Sequence, residues 1–454
     1  MTAPDRRSAE SLLGLVGGTP LVRLARAAPA AEVHAKLEYL NPGGSVKDRA
    51  ALAMVLDAEE SGALRPGGTV VEGTSGNTGL GLAQVAAARG YRSLFVLPDK
   101  TAVEKLDALR AYGAEVVLTP SALPREHPDH VINYATRLAK ETDGGWLADQ
   151  YGNPANPEIH RRTTGPEIWE ATGGRITHLV STIGTGGTIT GTGSYLREVS
   201  GGRVEIVGAD PVTSRYGGGD GSPFAVEAAG HYLHPETAED VFPDVYRREV
   251  VDRIETIGDR ESILTARGLA RTEGLLVGGS SGTAAAAALR VAREAGPDAV
   301  VVAILPDSGR AYLSKYHSET WLRRQGFLDD DRPGTLAPLV SPVVSVPTGT
   351  SVGEARAALE ASGQAALPVV LAGRSDRFPP AAGEVLALLS MSDLRGVSSE
   401  PVPVPATPPV GVGTGETAAE ALARLGPDVE AVHLVRDARL AGVLSLGALR
   451  AREH

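Results

Sequence analysis

Thr69-Val70-Val71-Glu72-Gly73-Thr74-Ser75-Gly76-Asn77-Thr78-Gly79 runs on into Leu80-Gly81-Leu82-Ala83-Gln84-Val85-Ala86-Ala87-Ala88-Arg89, and the passage changes character twice. It opens without the regular polar alternation of a half-solvated strand, which suits a parallel strand covered on both faces. Gly, Ser, Thr and Asn then crowd a turn, and an Ala- and Leu-rich stretch predicts a helix over 80–89. Strand, turn and helix make one βα unit. Further unalternating runs at 93–97, 178–181 and 299–305 repeat the rhythm from about Thr69 to Ser308, so the fold class is α/β with parallel sheets. In open α/β sheets ligands bind beyond the carboxyl ends of the strands, so the turns that follow them are the first places to look for chemistry.

The chain has 454 residues, room for several domains of roughly 100–200 residues each. Hydrophobic residues make up 42% and charged residues 22%, and no apolar run reaches the roughly 18 residues of a membrane span, which excludes a chain built on membrane helices. There is no cysteine, so disulfides, thiolate metal sites, iron–sulfur ligation and a thiol nucleophile are excluded. A net charge of −11 argues against a nucleic-acid surface, which needs clustered Lys and Arg. The opening MTAPDRRSAESLLGLVGG lacks an apolar h-region of roughly 7–15 residues, and the expected location is cytoplasmic.

Three further turns have the composition of ligand loops. Gly43-Gly44-Ser45-Val46-Lys47-Asp48-Arg49 leads into a helix-like run and sets Lys47 in its first turn. There the positive end of the helix dipole and loss of solvent both disfavour an ammonium, so Lys47 reads either as an activated amine nucleophile or as a surface lysine beside a helix start. Gly184-Thr185-Gly186-Gly187-Thr188 joins a strand to a helix, and its glycines and hydroxyls suit a phosphate. It is not a G-x-G-x-x-G dinucleotide fingerprint. The 73–79 turn, in the same position after its strand, suits a carboxylate. Leu305-Pro306-Asp307-Ser308 ends the last strong strand with a hydroxyl, which alone reads as a helix cap.

Taken together, these motifs with Asn41-Pro42, Asp149-Gln150-Tyr151, Ile189-Thr190-Gly191 and Glu273-Gly274-Leu275-Leu276-Val277-Gly278-Gly279-Ser280-Ser281-Gly282 resemble the pyridoxal-phosphate β-family of fold type II, the family of cystathionine β-synthase and cysteine synthase. The resemblance runs in consistent order from Leu12 to about Leu328. It implies a catalytic domain over 1–328 with two parallel-sheet subdomains and pyridoxal 5′-phosphate as cofactor. It implies that Lys47 carries the cofactor covalently and moves protons, that Asn77 meets the cofactor's phenolic oxygen, and that Gly184, Thr185, Gly186, Gly187 and Thr188 hold its phosphate. By the same resemblance Thr74, Ser75, Thr78 and Gln150, with Tyr151 beside them, take the substrate carboxylate, and Ser308 meets the pyridine nitrogen. The implied reaction is β-replacement, joining L-serine or an activated serine to L-homocysteine to give L-cystathionine. Cysteine synthesis or another β-replacement, with O-acetylserine or O-phosphoserine as donor, is the alternative, and a nucleotide-sensing regulator with a decayed catalytic domain is the alternative of a different class.

The chain departs from the family pattern at Glu227-Ala228-Ala229-Gly230-His231, where cystathionine β-synthases usually read Glu-Gly-Ile-Gly before a tyrosine or acidic residue. His231 reads as a substrate-binding residue or a solvated loop residue, and the glycine-rich 216–221 stretch before it as a hinge. No haem is expected, since the thiolate ligand is missing.

After residue 328 a charge run meets Pro and Gly, which places a linker at 329–340. Beyond it, repeats of about 341–397 and 405–452 each read as strand, helix, strand, strand, helix. They resemble the tandem nucleotide-sensing module named after cystathionine β-synthase. In the first repeat Ser390 and Asp393 match the module's hydroxyl-x-x-Asp signature for a ribose, whereas the second has Ala448 at the acidic position. The resemblance implies one adenosine-type effector, S-adenosylmethionine foremost, and a homodimer; a packing module is the other reading.

Overall fold

The computed structural model describes residues 9–74, 76–121, 123–328, 332–374, 377–395, 399–405 and 407–453. The chain divides into two compact units, residues 1–219 with 226–314, and residues 220–225 with 315–454. The first unit thus ends at 314, ahead of the linker read at 329–340, of which 329–331 lie outside the described residues. The reason lies in what the intervening residues touch. Within the second unit Tyr316 Oη donates to Ala225 O at 2.9 Å and Ala438 N donates to Gln325 O at 2.8 Å.

The first unit holds two sheets. Its strands are β1 (Leu21–Arg23), β2 (Glu32–Leu37), β3 (Thr69–Gly73), β4 (Arg92–Pro98), β5 (Glu115–Thr119), β6 (Gly145–Leu147), β7 (His178–Thr182), β8 (Glu205–Pro211), β9 (Arg253–Ile257) and β10 (Val300–Leu305). The larger sheet has the order β1-β2-β10-β7-β8-β9 and the smaller β5-β4-β3-β6. Every pairing is parallel except β1 with β2. All residues of β3 and β10 are buried, as unalternating composition predicts for strands with both faces covered. Strand β2, which the sequence reading left unassigned, lies between the edge strand β1 and β10 in the larger sheet.

Three helices set the site. Helix α1 (Lys47–Glu60) starts on Lys47 itself, and α2 (Asn77–Arg89) begins three residues earlier than the periodicity suggests, immediately after Gly76 at φ 125°. Residues 77–86 of α2 are buried on every side, so it is a core helix rather than an amphipathic surface one. Gly81 lets α1 and α2 approach, because a Cβ there would stand 3.0 Å from Ala51 Cβ and 3.1 Å from Lys47 O. Helix α3 (Val103–Ala111) follows β4. The turns after β3, β7 and β10 are those singled out in the sequence, and all lie at carboxyl ends of strands.

The second unit repeats one topology. Strand β11 (Val346–Pro347) pairs parallel with β12 (Leu367–Val370), which pairs antiparallel with β13 (Val385–Leu389). Strand β14 (Gly411–Gly413) pairs parallel with β15 (Ala431–Arg436), which pairs antiparallel with β16 (Arg439–Ser445). A helix opened by a capping box follows the first strand of each, Ser351 with Glu354 and Thr417 with Glu420. Among the described residues the final helix forms in the second repeat alone, at Leu446–Arg450, where Ser445 Oγ accepts from Ala448 N at 3.1 Å. Residues 391–394 of the first repeat make a turn instead. There the polarity is reversed, since the Asp393 carboxylate accepts from Ser390 N and Oγ at 2.8 and 2.6 Å. Among the described residues no helix is long and apolar enough to cross a membrane.

Behind the first turn of α1 lies a buried ion cluster. Arg49 donates to both oxygens of Glu38 at 2.7 and 2.8 Å and to both oxygens of Glu167 at 2.8 and 2.7 Å, and Lys36 adds a 2.6 Å bond to Glu167. Burial alone would raise the Glu38 carboxyl, but the Arg49 charge and hydrogen bonds prevail and hold it at about 2. Removing the guanidinium strands a buried charge. Arg49→Leu is therefore expected to destabilise the protein by about 3–5 kcal/mol in chemical denaturation. Because the folded carboxyl titrates below its ordinary 4.5, its contribution is complete above that value and is lost as the pH falls towards about 2. Glu38→Gln should flatten the dependence of stability on pH across that window, and an unchanged profile would contradict the assignment.

Candidate active site

Lys47 lines a cavity together with Thr182, Gly184, Thr185, Gly186, Thr188 and Ala228. The structure thus brings Lys47 and Gly184, Thr185, Gly186 and Thr188 of the turn after β7 to the wall of one cavity. Burial pushes the Lys47 ammonium down to about 8; the Asp307 carboxylate opposes the shift and the Lys105 ammonium adds to it. An amine so held is available as a nucleophile near neutral pH.

The turn after β7 is shaped by close packing. Gly186 stands at φ 87°, which favours glycine, and a Cβ on Gly187 would run into the Asn156 side chain. Gly187 opens the helix Gly187–Ser200, whose first N–H groups have no partner inside the helix and point out of its positive end. Thr185 Oγ1 accepts from Asn156 Nδ2 at 3.3 Å. Thr188 Oγ1 lies 3.2 Å from His160 Nε2, and His160 Nδ1 lies 2.8 Å from Thr164 Oγ1. Burial lowers His160 to about 3, so it is a neutral hydrogen-bonding partner in a π-turn over His160–Thr164.

The turn after β3 faces the same region. Thr74 Oγ1 accepts from Gly76 N at 3.0 Å, and Thr78 Oγ1 donates to Gln150 Oε1 at 2.5 Å, so two turns far apart in sequence are joined. Gln150 Nε2 reaches Gly73 O at 3.3 Å. Asn77 Nδ2 donates to Asp307 Oδ2 at 2.8 Å. Tyr151 follows Gln150, and burial raises its phenol to about 12, so it is a neutral hydroxyl. Ser75 lies outside the described residues.

Ser308 has the capping role that its motif suggested alone: its Oγ accepts from Arg310 N at 3.2 Å. Its N donates to Gly44 O at 3.1 Å, which brings the end of β10 against the Lys47 turn and leaves the hydroxyl proton to donate elsewhere. His231 is placed differently from the others. Its Nε2 lies 2.7 Å from Asp240 Oδ1 and its ring stacks on Phe242 beside Tyr216. Burial lowers it below the ordinary histidine value, against the pull of Asp240. Ser390 and Asp393 pair with each other in the second unit.

The residues that sequence reasoning missed are Asp307, Tyr312, Lys105, Glu227, Asn156 and His160. Asp307 was quoted within its motif with no role, yet its buried carboxylate accepts from Asn77 and from Tyr312 Oη at 2.5 Å. Lys105 had no signal, because a lysine near the start of an exposed-looking helix is ordinary. Only the tertiary structure shows it wholly buried.

A two-sheet α/β unit that sets a lysine of lowered pKa and a Gly/Thr helix start into one cavity at its strand ends defines an enzyme that carries a phosphorylated carbonyl cofactor. A family model described as pyridoxal-phosphate dependent enzyme matches residues 12–307, and the chain belongs to that family. It is similar to the cystathionine beta-synthase of Apis mellifera, 43% identical over 321 residues that form 70% of this chain and 63% of that protein, so it spans under two thirds of that relative. Cysteine synthase B of Escherichia coli (strain K12) is 46% identical over 301 residues, 66% of this chain and 93% of that one. The crystal structure of O-ureido-L-serine synthase aligns with a TM-score of 0.63 and 40% identity over 72% of this chain and 98% of that one. The family fixes pyridoxal phosphate as cofactor, and the donor set fits it: an amine for the aldehyde, N–H groups and hydroxyls for the phosphate, and a hydroxyl at Ser308.

Such an amine attacks an aldehyde only when uncharged. Covalent attachment of pyridoxal phosphate to the apoprotein should therefore accelerate about tenfold per pH unit below about 8 and level off above it. Borohydride trapping with peptide mapping checks both rate and residue, and a label on any lysine but Lys47 would contradict the assignment.

Proposed function

We propose that the chain is a β-replacement enzyme that condenses L-serine, or an activated serine, with L-homocysteine to give L-cystathionine, acting in the cytosol as a homodimer. The observation that carries this reading is the common cavity of Lys47 and the 184–188 turn. Bound pyridoxal phosphate supplies the electron sink that lets the substrate Cα–H bond break. Lys47 Nζ receives that proton and returns one to the departing β-hydroxyl, which leaves poorly as hydroxide. Thr74, Thr78 and Gln150, with Ser75, hold the substrate carboxylate; the Thr78–Gln150 bond fixes the amide for that purpose. Asn77, anchored on Asp307, meets the phenolic oxygen. Ser308 offers the pyridine nitrogen a neutral hydroxyl, which does not enforce ring protonation and so favours β-elimination over transamination.

One observation favours the cysteine-synthase reading: the chain covers 93% of Escherichia coli cysteine synthase B. Mass-spectrometric product analysis with serine, O-acetylserine and O-phosphoserine, each offered with homocysteine or sulfide, separates the two. Cystathionine from serine and homocysteine is the expected main product; cysteine from O-acetylserine and sulfide as the main product would favour the second reading. Purified protein without visible cofactor absorbance would support the regulator reading instead.

In the second unit, the duplicated strand-helix-strand-strand topology supports a nucleotide-sensing module, with Asp393 receiving ribose hydroxyls of an adenosine-type effector such as S-adenosylmethionine. One Asp393 oxygen already accepts from Ser390, which leaves the other for a ribose. Calorimetric titration is expected to give about one site per chain, since only one repeat carries the carboxylate. Asp393→Ala should abolish it, and undiminished binding would remove Asp393 from the site.

A further inference from the structure

Lys105, on the first turn of α3, is wholly buried, which for an ammonium requires compensating partners. Its Nζ donates to Tyr312 Oη at 2.8 Å and to Glu227 Oε2 at 3.1 Å, and it lies 4.4 Å from the centre of the Tyr312 ring. Its aliphatic stem runs beneath the carboxylate turn, where a Cβ on Gly76 would collide with Lys105 Cδ. The partners lead in two directions. Tyr312 Oη donates a hydrogen bond to Asp307 Oδ2, the oxygen that also anchors Asn77. Glu227 belongs to the segment whose next residue, Ala228, lines the Lys47 cavity, and whose Gly230 N donates to Ile183 O at 2.7 Å, directly before the phosphate turn.

We propose that Lys105 is a positioning residue of the active site, its ammonium fastening the 227–230 segment over the phosphate turn to the Tyr312–Asp307–Asn77 line beside the cofactor. It bridges the two sheets of the first unit, because α3 follows β4 of the smaller sheet whereas Glu227 and Tyr312 follow strands of the larger one. Its charge also acts on Lys47. The charged and titratable groups around the two lysines are Asp307, Glu227, Tyr312 and, behind the phosphate turn, neutral His160; of these lysines' neighbours Asp307 favours the charged form of Lys47 and Lys105 disfavours it.

This role rests on Lys47 carrying the cofactor, and the two are tested apart. Holoenzyme of wild type and of Lys105→Met is titrated with pH while the cofactor's visible absorbance is followed, and the labelled lysine is mapped in both. With Lys105 in the proposed role, the label stays on Lys47 and cofactor content is unchanged. The absorbance midpoint rises by about one pH unit, because a neighbouring positive charge has gone. In steady state kcat falls about tenfold or more, the effect of a misplaced reacting group. A midpoint, kcat and KM equal to wild type would overturn the proposal and leave Lys105 as packing; a label elsewhere than Lys47 would instead overturn the site assignment. If Lys105→Met does not fold, the volume-conserving Glu227→Gln and Tyr312→Phe, singly and combined, decide it. Their effects on the midpoint are expected to be non-additive, since both act through one ammonium, and strict additivity would overturn the proposal.

Discussion

The constraint on which the site depends is the burial of the Asp307 carboxylate. A charge taken from water has to be satisfied by donors, and here they come from separate parts of the chain: Asn77 at the start of α2, Tyr312 after β10, and Ser280 Oγ at 3.4 Å in the helix Gly279–Ala295. Gly278 N also bonds the Asp307 carbonyl at 3.1 Å. Satisfying one anion thus brings the end of the last strand into register with the turn of the first βα unit and with the core helix behind. Lys47, one bridge away through Ser45 and Asp307, inherits that geometry.

Around this centre, helix starts do most of the chemical work. Lys47 opens α1, Asn77 opens α2, and Gly187 opens the helix behind the phosphate turn. The positive dipole end makes each of these a place where anions are welcome and ammonium groups are not, although at α1 the first N–H groups are already taken, Lys47 N by Ser45 Oγ at 3.2 Å and Asp48 N by Ser45 O at 3.3 Å. Such ends suit a cofactor with a phosphate and a substrate with a carboxylate, while burial and the Lys105 charge lower the basicity of Lys47.

How much of this could be read from the residues follows from the range of the interactions. The strands β3, β7 and β10 announced themselves because doubly covered strands need unbroken apolar runs, and the turns after them because glycine is required where the backbone is left-handed, as at Gly186. Strand β2 escaped notice because Glu32, His34 and Lys36 give it polar alternation although it is paired on both sides; Lys36 is buried there with its bond to Glu167. Lys105 and His160 escaped for the same kind of reason, as polar residues whose partners lie across the fold and leave no periodic trace. That residues 391–394 of the first tail repeat make a turn where 446–450 of the second make a helix goes with which side chain accepts the local hydrogen bond, a choice that composition does not report.

The burial of α2 has a mechanical consequence. A ligand loop joined to a surface helix can flap; residues 77–79 belong instead to a helix enclosed on every side through residue 86 and spaced from α1 by the bare Cα of Gly81. Its local stiffness is that of the core. Asn77 and Thr78 can therefore shift only together with the helices packed on them, not by the bending of a loop.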